Sequence, residues 1–337
     1  MRKPMLWIGV SAILIVSLLT FMWIYADMNI TRLEFAQSSG TVYDRYYVLV
    51  ADDDSDQLTA IYESARAYAA EQNVRLALAA EETSTTYTLQ ERMEIALAQD
   101  ADGIILLQNE EEGLEASIET ASGEQVPVVT VLNDAPDSDR ISYVGINAYQ
   151  MGDAYGSQAL RAMTSDETDI LVLMSNTSQT MVSSLAYAQM MQVIETGAAQ
   201  DGRQVQITSL EVDSSQEFEA EETVRSIFVS SEQPDILICL DPVTTLCAIQ
   251  AVTDYNEVGN VVIIGYYASS AILEAIPKGI VQATLAVNTE QIGRLCVDAL
   301  DEYLELGYVS NYMPVEFEMV TAGNIEAYLE EEDREAG

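Results

Sequence analysis

From Tyr46 onward the sequence alternates between short apolar or β-branched runs and longer amphipathic stretches, and few folds accept that pattern. Tyr46–Ala51, Val74–Ala80, Ile104–Leu107 and Val126–Val131 read as strands. Between them, Leu58–Asn73, Thr88–Gln99 and Leu114–Ala121 carry apolar residues at helical spacing. In the first of these, Leu58, Ile61, Tyr62, Ala65, Tyr68 and Ala69 make one stripe. The alternation then repeats. Strands are predicted at Ile170–Met174, Val205–Leu210, Ile236–Leu240, Val261–Ile264 and Val281–Ala286, and helices at Val182–Thr196, Phe218–Val229, Pro242–Tyr255, Ala268–Ile276 and Asn288–Leu306. Pro242 suits a first helical turn, and Gly307 a helix stop. Serial βα units build parallel, doubly wound sheets, and right-handed crossovers put every strand's C-terminal loop on one edge. At 337 residues the chain exceeds one small core, so two lobes are expected.

Before this region, Arg2 and Lys3 precede an uncharged run from Leu6 to Ala26. About 20 apolar residues span a bilayer, more than a signal-peptide core needs. No cysteine follows the run, and bulky Ile24 sits three residues before a cleavage point after Ala26. The expectation is an uncleaved, single-pass transmembrane helix with a cytoplasmic N-terminus and an extracytoplasmic globular part, with a cleaved signal peptide as the alternative. Asp27–Arg45 reads as a polar stalk.

Composition excludes several functions. With 55 Asp+Glu against 14 Lys+Arg the formal charge is −41, which repels nucleic acid and anionic membrane surfaces. The absence of histidine removes Ser-His-Asp and Cys-His nucleophilic triads and the commonest zinc ligand. Cys239, Cys247 and Cys296 each lie in apolar runs at no metal-binding spacing, so buried free thiols are expected and no cofactor is implied.

Several phrases carry a resemblance: "DGIILL", "VPVVTV", "DRISYVGINAYQMG", the pair Gly265-Tyr266 after a strand, and Gln291-Ile292-Gly293. Together with the order of elements, from about Tyr46 to Ala322, they resemble the type 1 periplasmic sugar-binding proteins, the family of the ribose-binding and lactose-repressor core. The resemblance implies a periplasmic-binding-protein-like I fold, in which two lobes share a three-crossing hinge near Gly145–Asn147, Ala286–Asn288 and Met313–Glu316. The domain organisation it implies is an anchor at 1–26, a stalk linker at 27–45, lobe 1 from 46–146 plus 288–316, lobe 2 from 147–287 plus 317–323, and an acidic tail at 324–337.

The resemblance also places the ligand-binding candidates. Ser55 stands where the family has an asparagine, and Gln57 and Leu58 where it has aromatic residues. Leu132 stands at an aspartate place, with Asn133 beside it still able to hydrogen-bond. Gln108 and Asn176 lie in two further cleft loops. Asp241 takes the place of a cleft Asn or Asp, Tyr267 replaces an aspartate, and Asn288 lies at the hinge. A ligand-binding arginine of the family falls near Ser184 and is absent. Helix capping and turn formation are the competing readings for Ser55, Asp241 and the amides. Asp52, Asp54, Asp56 and Glu63 follow an EF-hand-like count, but Gln57 stands where that loop needs glycine.

The implied function is that of an extracytoplasmic, membrane-anchored solute-binding protein rather than an enzyme. It would capture a small, sugar-like ligand and present it to an ABC permease or a sensor histidine kinase. Loss of the charged sugar-gripping residues leaves a vestigial site or a non-sugar ligand as the alternative, and a hydrolase built on Asp54 and Asp241 as a remote one. A repressor role is set aside, because a hydrophobic segment replaces the DNA-binding N-terminus.

Overall fold

A computed structural model describes residues 43–51, 55–80, 87–107, 114–175, 181–214, 217–229 and 233–329. The predicted anchor at 1–26, the stalk up to 42 and the end of the tail lie outside the described residues. Among the described residues no helix is long and apolar enough to cross a membrane. The chain separates into residues 1–44 and a compact unit, Arg45–Gly337.

The compact unit contains two six-stranded sheets. The first joins β1 (Arg45–Ala51), β2 (Val74–Leu78), β3 (Gly103–Leu107), β4 (Val128–Val131), β5 (Ser142–Ile146) and β11 (Tyr312–Val315) in the order β11-β5-β4-β3-β1-β2. The second joins β6 (Glu167–Ser175), β7 (Gln204–Val212), β8 (Ile236–Cys239), β9 (Val262–Tyr266), β10 (Val281–Val287) and β12 (Phe317–Thr321) in the order β12-β10-β9-β8-β6-β7. The two orders repeat one arrangement, differing in the edge strand, which is parallel in the first sheet and antiparallel in the second. The helices are α1 (Asp56–Glu71), α2 (Leu89–Ala98), α3 (Leu114–Gly123), α4 (Ala148–Ala162), α5 (Met181–Gln200), α6 (Glu217–Val229), α7 (Pro242–Asp254), α8 (Ser270–Ala275) and α9 (Thr289–Leu306).

The β-branched runs are buried on both faces, as parallel strands between helical layers must be. In β1, Tyr47, Leu49 and Ala51 enter one hydrophobic cluster while Val48 and Val50 enter another. In β8, Ile236 and Ile238 face one cluster, and Leu237 and Cys239 the other. All three cysteines are buried free thiols.

Two expectations need correction. The second sheet is not wholly parallel, because β12 runs antiparallel to β10. It is a short edge strand entered by a crossing: β11 runs parallel to β5 out to the carboxyl edge of the first sheet, and the chain enters the second sheet from its own carboxyl edge, so β12 runs opposite to β10. The predicted strand at Val126–Val131 begins only at Val128, since Pro127 has no N–H to give a ladder. Beyond these, β5, α4, β11 and β12 had no predicted counterpart.

The chain passes between the sheets three times: from β5 into α4, from β10 into α9, and from β11 into β12. Asparagines cap the first two crossings. Asn147 accepts the Gln150 N–H at 3.1 Å to start α4, and Asn288 accepts the Gln291 N–H at 2.8 Å to start α9. The second and third crossings are laced together. The Asn288 N–H donates to the Glu316 carbonyl at 3.1 Å, and the Glu316 N–H donates to Gln291 Oε1 at 2.8 Å.

After crossing, each helix packs on the lobe it has entered. Helix α4 lies against α5, where a Cβ at Gly152 would meet the Ala186 carbonyl at 2.5 Å and one at Gly156 would meet Val193 Cβ at 2.7 Å. Glycine at both positions lets the helices approach that closely. Helix α9 lies against α1. It is fastened there by Tyr68 Oη, which donates to Asp298 at 2.7 Å, and by Tyr47 Oη, which donates to Asp301 at 2.6 Å. Arg45 also pairs with Asp301.

Candidate functional site

In each sheet the order of the strands reverses once, between β1 and β3 and between β6 and β8. Ligands of open α/β sheets bind outside the carboxyl ends of the strands at such points. The predicted site residues should therefore meet there, and they do so only in part.

Ser55 caps α1, its Oγ accepting the Leu58 N–H at 3.2 Å. Gln57, in the first turn of α1, is buried, and its Nε2 donates to Tyr266 Oη at 3.2 Å. Gln57 belongs to the first lobe and Tyr266 ends β9 of the second, so the carboxyl edges of the two sheets face one another and touch. Leu58 is core. Asn133 is half-buried, in a tight turn closed by its own N–H on the Val131 carbonyl at 2.7 Å.

Asp241 caps α7. Its Oδ1 accepts the Thr244 N–H at 2.8 Å and its Oδ2 accepts the Thr244 hydroxyl at 2.7 Å. Burial raises its pKa, and the bonds from Thr244 offset this only in part. Asn288 is exposed and serves as the cap and crossing residue already described. Gln108 and Asn176 lie outside the described residues. So do Asp52 and Asp54 of the EF-hand-like count, while Glu63 of that count lies within α1, paired with Arg66 at 2.5 Å. No group of three or more metal-ligating residues occurs among the described residues.

Tyr267 is placed by its backbone. Its φ is 73°, in the left-handed region that disfavours any residue with a Cβ. Leu132, the residue after β4, has a φ of 61°. The two positions correspond in the repeated topology and are held by the same pair of bonds. The Leu132 N–H donates to the Val144 carbonyl at 2.9 Å, and the Tyr267 N–H to the Leu285 carbonyl at 2.8 Å. The Leu132 carbonyl accepts the Tyr143 hydroxyl at 2.8 Å, and the Tyr267 carbonyl accepts the Thr284 hydroxyl at 2.7 Å. Strain kept twice by matching clamps is a deliberate turn at the sheet edge. Behind Leu132, Arg140 grips Asp134 through both nitrogens of its fork and donates to the Asn311 carbonyl at 3.0 Å, which ties this corner to β11.

Residues absent from the predicted set complete the second lobe's face. Thr245 accepts the Tyr266 N–H at 3.0 Å and donates to the Asp241 carbonyl at 2.8 Å, joining the start of α7 to the end of β9. Tyr155, buried in α4, donates to the Gly265 carbonyl at 3.0 Å. Burial pushes the Tyr266 phenol up to about 12, against the hydrogen bond from Gln57 and aided by Asp241. Burial and then the Asp56 carboxylate of the first lobe push Tyr267 up to about 12. Among the described site residues the only cation is Arg140, and it is already engaged by Asp134.

The comparisons with known proteins agree on the scaffold. A family profile described as a periplasmic binding protein domain matches residues 46–307. A glucose-galactose binding protein from Geobacillus stearothermophilus, GanP, is similar at 20% identity, over 83% of this chain and 98% of its own, with a TM-score of 0.72. A chain of a XylFII–LytSN complex is similar at 21% identity, over 84% and 99%, with a TM-score of 0.70. An ABC transporter solute binding protein from Burkholderia graminis, solved with D-arabinose, is similar at 15% identity, over 85% and 98%, with a TM-score of 0.73. At these identities the structural likeness shows the fold alone. The comparison with curated proteins finds no match.

Proposed function

The chain belongs to the periplasmic binding protein domain family, and we propose that it captures a small, uncharged, sugar-like solute between its lobes and reports or delivers it to a membrane partner. The observation that carries this reading is the meeting of the two carboxyl edges at Gln57 and Tyr266. It puts both ligand-binding edges of the repeated topology on one cleft. Hinge closure about such a cleft is the established motion of periplasmic binding proteins. The three crossings near Asn147, Asn288 and Glu316 supply the hinge here, and Ser55, Asn133, Asp241 and Tyr267 the cleft walls. The preference for an uncharged solute rests on Arg140, whose guanidinium is committed to Asp134 and so cannot meet a phosphate or carboxylate.

The partner is an ABC permease or a sensor histidine kinase. GanP is named for glucose and galactose, another neighbour was solved with arabinose, and XylFII in complex with LytSN. A tether at residues 6–26, with the globular part outside the cell, would hold the binder beside one such partner at high effective concentration. N-terminal sequencing of the mature protein tests the tether, and a start after Ala26 would refute it.

A second reading, a non-sugar ligand or a vestigial site, is favoured by Leu132 and Tyr267, which stand at the two clamped corners without a carboxylate to take sugar hydroxyls. Hydrolysis by Asp241 gains no support, since both its oxygens are occupied by Thr244. Thermal-shift screening against pentoses, hexoses, sugar alcohols, furanosides and nucleosides decides between the readings, because a ligand that binds the folded chain raises its melting temperature by mass action. A rise with a neutral polyol supports the sugar reading. A rise with a nucleoside alone, or none at all, replaces it with the second.

A further inference from the structure

Beyond ligand capture, we infer that Gln57 and Tyr266 form a latch that holds the lobes together when no ligand is present. Each of the two residues sits at the carboxyl edge of its own lobe. Gln57 is 8% exposed and Tyr266 7%, so the bond between them is shielded from water. Gln57 lies on the first turn of α1, whose start is fixed by the Ser55 cap. Tyr266 is fixed from behind by the Thr245 hydroxyl on its N–H. Both partners are thus presented from pinned backbone, and the 3.2 Å bond between their tips spans the lobes.

A polyol held in such a cleft would offer hydroxyls to one amide and one phenol. Here the amide and the phenol satisfy each other. The Asp56 carboxylate of the first lobe lies close enough to Tyr267 of the second for its charge to hold that phenol protonated, so the lobes meet at more than the one bond. The inference concerns the free protein and stands whether or not the ligand is a sugar.

The latch has a definite consequence. A hydrogen bond of this kind changes an equilibrium by roughly three- to tenfold, so its loss moves the closed-to-open ratio by that factor. Ligand must then compete with a closed state that excludes it. Tyr266→Phe removes only the hydroxyl and keeps the ring, and Gln57→Met keeps the length and removes the amide.

The test uses the full chain with spin labels on exposed Glu115→Cys in lobe 1 and Glu222→Cys in lobe 2. The native cysteines are buried and leave the labelling selective. Pulsed dipolar spectroscopy without ligand should give a predominantly short distance in the parent. A longer population should grow roughly three- to tenfold in Tyr266→Phe and again in Gln57→Met, with circular dichroism unchanged. A parent already at the long distance, or two folded variants with the parent's distribution, overturns the latch. If one variant fails to fold, the other decides. The outcome is separate from the ligand screen, because no ligand is added.

Discussion

At the residue scale, two groups report on the seam between the lobes. Tyr266 and Tyr267 are buried, and burial raises each phenol to about 12, above the value of about 10 for a free tyrosine. The folded chain therefore holds these protons more tightly than the unfolded chain. Their contribution to stability is fully present below about pH 10 and is lost as pH rises through 12, by on the order of 2–3 kcal/mol for each group. Urea unfolding midpoints should begin to fall near about pH 8.5, where the thiols of the unfolded chain ionise while buried Cys239 and Cys296 are held protonated, and fall more steeply above about pH 10, with a shallower fall in Tyr266→Phe. A fall above about pH 10 as steep in Tyr266→Phe as in the parent would mean that water reaches that phenol. Arg140 gives a second prediction. Its side chain is 5% exposed and pairs with Asp134 at 20%. Arg140→Ala leaves that carboxylate without its partner and frees the corner from Asn311, so a loss of about 3 kcal/mol is expected, read as a melting temperature several degrees lower. A change below about 0.5 kcal/mol, the scale of an exposed ion pair, would place the bridge among solvent-screened ones.

At the element scale, packing of α9 on α1 fixes the first lobe to its return helix, and Gly293 sits at their closest approach. A Cβ there would lie 2.5 Å from the Ala65 backbone nitrogen and 2.9 Å from Ser64 Cβ. Backbone cannot yield as a side chain can, so Gly293→Ala should cost about 1–3 kcal/mol despite the better helix propensity of alanine. Thermal melting checks it, and a stabilised variant would mean the helices slide apart without penalty. The same helix shows what was legible beforehand. Its apolar stripe through Ile292, Cys296, Ala299 and Leu300 is buried as its period requires. The strands with near-continuous β-branched runs were legible for the same reason. Helix α4 was not, because Gly152 and Gly156 look like breakers until α5 is seen to press against them. Strands β11 and β12 are short edge strands whose pairing is set by distant β5 and β10, a tertiary cause with no local signal. The site divides likewise. Ser55, Asp241 and Asn288 were expected to bind ligand, and each is found capping the helix that follows it, a role open to its residue type at that place. Tyr266 was visible as an aromatic strand end, but its bond to Gln57 depends on how two lobes meet, and spacing along one chain does not encode that.

At the scale of the whole molecule, charge sets the remaining term. The full sequence carries 55 acidic against 14 basic residues, a formal net charge of −41. The basic side chains of the described unit are largely spent locally. Arg45 goes to Asp301 and Glu305, Arg140 to Asp134, Arg225 to Glu221 and Asp254, and Lys278 to Glu274. The acids left over repel one another over distances beyond a salt bridge, and such self-repulsion opposes the compact state. The Debye length falls from about 30 Å at 0.01 M salt to about 3 Å at 1 M, so added salt screens the repulsion while it scarcely touches the buried Arg140 pair. Repulsion must therefore outweigh attraction in the salt response. The melting temperature should rise by several degrees between about 20 mM and 500 mM sodium chloride, with most of the gain within about the first 200 mM, where the Debye length shrinks past the spacing of surface charges. Sodium sulfate would add a surface-exclusion effect of its own, so the comparison belongs to chloride. A melting temperature that falls with chloride would show that ion pairs such as Arg45–Asp301 and Arg225–Asp254, and not the acidic excess, govern the stability of the folded chain.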